Sequence, residues 1–286
     1  MVFHLPELST PERQYYLQHL VAPRPIGLVA TVNRQGAVNL SPFSFFNLFS
    51  SDPPVVIFSA CRRVRDNTRK HTLENIEEVP QAVIHLVNYS MVEQVSLASC
   101  DYPKGTDEFI KAGFTKEKAC YVQPPMVREA PAKLECKVIE LKPLGKNGGA
   151  GNLVICEALA LHIHDDLLVG HKLIHPAQLD LVARLGDNWY TRISQSNLFE
   201  AEKPHSRTGI GFDGLPGFIR ESRFLTGSEI ARLAGVPQLP GIDADFDYPD
   251  PAMGEEAIFR TAALLIHTNK IDQAWQLLLH YKQSTL

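Results

Sequence analysis

No stretch of the chain approaches the length of apolar sequence needed to cross a bilayer. The opening residues Met1–Glu7 carry neither a basic cluster nor an apolar run, so no secretory leader is read there. Positive charge is not in excess: 28 Lys and Arg face 32 Asp and Glu, for a net charge of −4. That balance argues against a nucleic-acid partner. Cysteine is scarce, with 5 in 286 residues: Cys61, Cys100, Cys120, Cys136 and Cys156. The number is odd and no C-x-x-C occurs, which disfavours a disulfide framework and a zinc site alike. These absences lead us to expect a cytoplasmic chain with no membrane association and no metal. No serine or cysteine sits in a nucleophile elbow, so hydrolase chemistry has no support. One G-x-G-x-x-G occurs, at Gly209–Gly214, but it lacks the preceding strand and following helix of a dinucleotide loop. It reads as a chance match.

What is present is 44% hydrophobic and 21% charged, ordinary for a globular chain with a sizeable core. The organising stretch is Pro25 to Ile76. An apolar strand, Ile26–Val32, is followed by a turn at Asn33–Gly36 and a short strand, Ala37–Leu40. Next comes Ser41-Pro42-Phe43-Ser44-Phe45-Phe46-Asn47, then a third strand ending at Ser59. In the first of these, flat apolar faces alternate with small hydrogen-bonding groups. Such a segment suits a planar heteroaromatic ligand, or equally a core strand, although Pro42 disfavours a regular central one. The run from Arg62 to Thr72 then mixes cations, hydroxyls and an amide directly before a helix through Asn75 and Ile76. Arg65, Thr68, Lys70 and Thr72 at a helix start make a phosphate seat, or else a solvated basic loop.

The ordered motifs R-P-I-G-L-V-A-T-V, G-x-V-N-L-S-P-F-S-F-F-N, D-P-P-V-V-I-F-S and K-H-T-L-E-N-I resemble the flavin reductase-like family. The resemblance spans about Ala22 to Arg192. It implies a mainly β fold, an antiparallel FMN-binding split barrel with helices packed around it. It also implies that Thr31, Asn39, Ser41, Ser44 and Phe45 line the isoalloxazine, with Pro42 and Phe46 in the same motif. Lys70 and Thr72 would hold the FMN phosphate. His71 stands where the family usually has Asp, and the run Asp66-Asn67-Thr68 would share the phosphate role with Arg65. The implied activity is hydride transfer from NAD(P)H through bound FMN to an acceptor. The alternative is an FMN-binding or flavin-storage module without turnover. A homodimer with the flavin site at the subunit interface is implied as well. Ser99–Phe114 would lie near the substrate side of the flavin, and Arg184–Tyr190 near the flavin itself.

The remaining chain is read from pattern. Thr10-Pro11-Glu12 starts a helix carrying Tyr15, Tyr16, Leu17 and Leu20, expected to pack across the barrel. Ala82–Val87 is a buried strand, with His85 a core histidine or a ligand. Ser90 and Glu93 form a capping box pattern, and Gly113 closes a short helix. Lys133–Leu141 and Asn152–Leu161 form a hairpin around the small residues of Gly145–Gly151. Those residues and Gly186 are expected to leave room for a nicotinamide. His162, His164, Asp165, Asp166, His171 and His175 cluster in sequence. His162 and His164 would share a strand face, His171 and His175 a helix face, and surface histidines are preferred to a metal site. The domain division is placed at 1–204 for the barrel and 205–286 for an extension. In that extension a Gly- and Pro-rich segment to Pro251 wraps the barrel or a partner, and two helices form a hairpin.

Overall fold

Six consecutive buried residues, Gly27–Val32, form strand β1 at the centre of the first unit. A strand covered on both faces reads as a continuous apolar run, and this one does except at Thr31. One face, with Val29, joins a core with Phe43, Phe58, Ile76 and Ile84. The other, with Leu28 and Ala30, packs into a second core with Leu40, Met91, Val95 and Phe109. The computed structural model of the chain describes residues 1–170, 173–201, 208–247 and 253–284. It divides into two units, Met1–Phe199 and Glu200–Leu286.

Around β1 lie β2 (Val38–Phe43), β3 (Phe46–Ser51), β4 (Pro54–Ser59), β5 (Gln81–Leu86), β6 (Ala132–Pro143) and β7 (Asn152–Ile163). They make one seven-stranded sheet in the order β2-β1-β5-β6-β7-β4-β3, antiparallel throughout. The two end strands, β2 and β3, are joined directly by Ser44 and Phe45, which turn the sheet back on itself. Register shifts in the β6–β7 and β3–β4 pairs add the local bending that curls it. This is the antiparallel split barrel with surrounding helices expected from the sequence. Helix α2 (His71–Glu78) plugs one end, burying Leu73 and Ile76 in the barrel core.

His85 resolves as a core histidine. It is fully buried on β5. Its Nδ1 donates to Leu28 O (2.6 Å), because Nε2 accepts from Val127 N (2.8 Å). Burial drives its pKa down to about 3, against the opposing pull of the Leu28 carbonyl. The unfolded chain therefore binds a proton near pH 6.5 that the folded chain refuses. The stability from neutral His85 is fully present above pH 6.5 and is lost progressively as pH falls toward 3. Between pH 6.5 and 5 the slope from this one group rises from about 0.7 to about 1.4 kcal/mol per pH unit. Denaturant titrations of wild type and His85→Gln across that range are expected to differ by this slope. Parallel pH dependences would contradict the assignment.

Two helical readings need correction. Helix α1 (Thr10–Leu20) starts under a capping box of Ser9 and Glu12 but buries no residue in the barrel. Tyr15, Leu17 and Leu20 remain exposed, since apolar positions 15, 16, 17 and 20 wrap around the helix instead of forming one stripe. Arg24 holds its end, donating to the carbonyls of Gln18, Val21 and Leu185. The Ser90–Glu93 box does not form. A 3-10 turn begins at Tyr89, so Ser90 lies inside it and donates to Asn88 Oδ1 (2.9 Å) instead of capping α3 (Val92–Ala98). Helix α4 (Glu108–Ala112) does end at Gly113, whose φ of 69° is left-handed.

The second unit has its own core. Helices α5 (Gly217–Arg220), α6 (Gly227–Ala234), α7 (Glu255–His267) and α8 (Ile271–Ser284) share the buried side chains Ile219, Leu233, Ile258, Phe259, Trp275 and Leu278. The stretch read as a wrapping segment supplies α5 and α6 to the same core as the hairpin. A Thr226–Glu229 capping box starts α6, a signal that the Gly and Pro content of the segment concealed. Of that segment, residues 205–207 and 248–251 lie outside those described. Among the described residues no helix is long and apolar enough to cross a membrane.

Candidate flavin site

The barrel face of β1 and β2 changes from apolar to polar toward α2. Val29 pairs with Ser41 and Thr31 with Asn39. Against them α2 sets two buried polar side chains. Asn39 Nδ2 donates to Thr72 Oγ1 (2.9 Å), and Asn75 Nδ2 donates to Thr31 Oγ1 (3.2 Å). Four buried polar groups are thus satisfied among themselves, and they fix α2 on the sheet. The helix start receives no side-chain cap: Lys70 is its N-cap and makes no capping bond. A hollow opens there, lined by Asn39, Ser41, Arg63, Lys70, His71 and Thr72, and from the far side by Ser99, Cys100, Asp101, Tyr102 and Glu108.

Cations converge on one carboxylate in this hollow. Arg63 Nε donates to Asp101 Oδ1 (3.0 Å), Lys70 Nζ lies 3.8 Å from the same oxygen, and Arg65 Nη2 lies 3.5 Å from Oδ2. The Arg63 hydrogen bond, with Lys70 and Arg65 behind it, holds the Asp101 carboxyl below its usual range despite some desolvation. Lys70 is pulled down by burial and by Arg63, with Asp101 opposing. His71 is lowered chiefly by burial, which favours the neutral ring. Glu108 is raised by burial, although Leu40 N donates to it (2.9 Å).

Of the residues expected from sequence, Asn39, Ser41, Lys70, His71 and Thr72 line the one hollow. Thr31 stands behind it, fully buried on Asn75. Arg65 reaches its edge through Asp101. Thr68 serves it indirectly, accepting from Arg63 Nη1 (3.0 Å) and donating to Asp66 Oδ1 (2.6 Å). Asn67 shapes the loop: its φ is 56°, and its Oδ1 accepts from Arg62 Nε (2.6 Å). Pro42, Ser44 and Phe45 do not line the hollow, and Phe45 is exposed. Phe46 turns toward the barrel core, where its ring lies 3.3 Å from the point a Cβ on Gly27 would occupy. Arg63, Asp101 and Glu108 were not singled out from sequence. Arg63 sat unremarked in the basic run, and only the family resemblance pointed to the 99–114 segment.

The small residues do not make empty space. A Cβ on Gly186 would lie 2.1 Å from the His19 ring, so α1 fills that position. Arg184 stacks on Tyr190, 4.5 Å from guanidinium carbon to ring centroid, and neither lines the hollow. Gly148 lies 3.0 Å, by the same measure, from the carbonyls of Arg63 and Val64. Backbone bonds from Arg62 N to Ala150 O (2.9 Å) and Gly149 N to Arg62 O (3.0 Å) lock the glycine loop under the basic loop. The sequence histidines do not converge either. His162 meets Glu135, His164 meets Arg128 O, and His175 caps a single helical turn instead of sharing a helix face. His171 lies outside the described residues.

Residues 20–177, more than half of the chain, match the flavin reductase like domain. The chain belongs to that family. A relative of unassigned function from Halalkalibacterium halodurans is 34% identical over 199 residues, 69% of this chain and 93% of its own length. The solved nitrilotriacetate monooxygenase component B from Bacillus cereus superposes with a TM-score of 0.65 at 26% identity, covering 70% of this chain and 98% of its own. A protein with a split barrel domain from Shewanella frigidimarina gives 0.61 at 29% identity, with 71% and 99% covered. The cofactor class of this flavin reductase-like chain is therefore flavin. The family match ends at residue 177, before the helical unit begins.

Proposed function

We propose that the chain is an oxidoreductase that binds FMN and passes hydride from NADH or NADPH through it to a second acceptor. The observation that carries this reading is the convergence of Arg63, Arg65 and Lys70 at the uncapped start of α2. A seat of that charge at a helix start suits one terminal phosphate monoester. The donor set fits FMN. Lys70, Arg63 and Arg65 would hold the phosphate, with the first turn of α2 at His71 and Thr72. Asn39 and Ser41 would orient a polar ring edge. When bound, FMN supplies the acceptance and donation of hydride. The chain's own residues bind it, orient it and exclude water around it, which needs no dedicated acid or base.

Asp101 places a carboxylate at the focus of the three cations, so an incoming phosphate competes with it. Removing one exposed ion-pair partner changes an interaction by about 1 kcal/mol, or about fivefold. Asp101→Asn is therefore expected to tighten FMN binding about fivefold in a fluorescence titration. Riboflavin, which lacks the phosphate, is expected to bind unchanged. If the variant binds FMN no better than wild type, the phosphate does not use this seat.

The proposal includes a homodimer. Strand β3 ends the sheet, and its Leu48 and Phe49 are 61% and 64% exposed, beside exposed Phe45. An unpaired edge with an apolar row is a surface for another chain. A second copy there would also bring residues toward Ser44 and Phe45, which the hollow does not recruit within one chain. Light scattering is expected to report a dimer; a monomer at micromolar concentration with flavin bound would refute it.

A further inference from the structure

Glu135 is completely buried on β6, yet it is a carboxylate. Its oxygens accept from Cys120 N (2.9 Å), Tyr121 N (2.5 Å) and Val122 N (3.1 Å), which aims the 120–122 loop at it. Across the sheet on β7, His162 Nε2 stands 2.7 Å from Glu135 Oε1. Ligand atoms of Cys120, Glu135 and His162 all lie within 4.8 Å of one another. None of the three lines the flavin hollow.

We propose that Cys120, Glu135 and His162 form a zinc-binding site. Sulfur, imidazole nitrogen and carboxylate oxygen together are the mixed, borderline-soft donors that Zn²⁺ takes, whereas Ca²⁺ and Mg²⁺ call for oxygen alone. The ion replaces the proton shared by His162 Nε2 and Glu135 Oε1, and their 2.7 Å separation opens as each takes a ligand bond of about 2 Å. His162 then carries its proton on Nδ1, and the Cys120 thiol loses its proton to solvent. Glu135 keeps all three backbone donors, which hold the carboxylate in place before the ion arrives. Lys133, two residues back on β6, is the nearby opposing charge, and Glu117 neutralises it at 3.2 Å. Cys120 is exposed, so the fourth tetrahedral position opens to water on its side.

The test is calorimetric titration of the full-length, chelator-treated protein with zinc chloride, followed by zinc K-edge X-ray absorption. One ion per chain is expected, bound with submicromolar affinity, with one sulfur at about 2.3 Å in its shell. Cys120→Ser and His162→Ala are each expected to weaken zinc by about tenfold or more, since loss of an outer partner alone costs that much. Their flavin spectra are expected to match wild type, which shows that they fold where Glu135→Gln would risk not doing so. Absence of saturable binding, a shell without sulfur, or equal binding by both variants would each overturn the site.

Discussion

Lys70→Ala is expected to weaken FMN binding by about 10–200-fold, from the loss of one charge-assisted hydrogen bond worth about 1.5–3 kcal/mol. The magnitude follows from where Lys70 sits. Its side chain is half-buried at the N-cap of α2, in reach of the carboxylate that marks the anion position. It is not a pillar of the fold: its ion pair with Asp101 is long, and α2 is held by Asn39–Thr72 and Thr31–Asn75 instead. The loss is therefore expected in affinity and not in thermal stability. Fluorescence titrations with FMN and riboflavin separate the two parts of the ligand. Only FMN should respond, and Lys70→Arg should recover most of the affinity because the charge is kept. Wild-type FMN affinity in Lys70→Ala would mean that the phosphate seat is misplaced.

The barrel was legible because its signals are local. The continuous apolar run of β1, the polar–apolar alternation of β6 and the helix start after Lys70 each follow from a few adjacent residues. Asn39, Ser41, Lys70, His71 and Thr72 were legible together because family motifs carry them in one stretch. Asp101 and Glu108 were not, since packing of distant segments, not spacing, brings them to the hollow. Phe46 shows a different limit. Alternation of aromatics tells which residues share a face but not which face turns inward, and Gly27 admits its ring to the core. Gly186 and Gly148 show a third. A missing side chain was read as room for a ligand, whereas the His19 ring and the Arg63–Val64 backbone already approach there. The exposed apolar residues of α1 had no stripe to betray where they point.

The central claim, that the bound flavin turns over, predicts how fast a reduced nicotinamide can reach it. Hydride transfer needs contact and alignment of two planar rings, and a site that supplies both converts a bimolecular collision into a positioned step. A module that only stores flavin gives no such advantage. The decisive measurement is anaerobic stopped-flow absorbance of the FMN-loaded protein mixed with NADH or NADPH. The expected result is bleaching of the flavin band that is far faster than that of free FMN and saturates with at least one nucleotide. Bleaching no faster than that of free FMN, with both nucleotides, would contradict the account and leave a flavin-binding module.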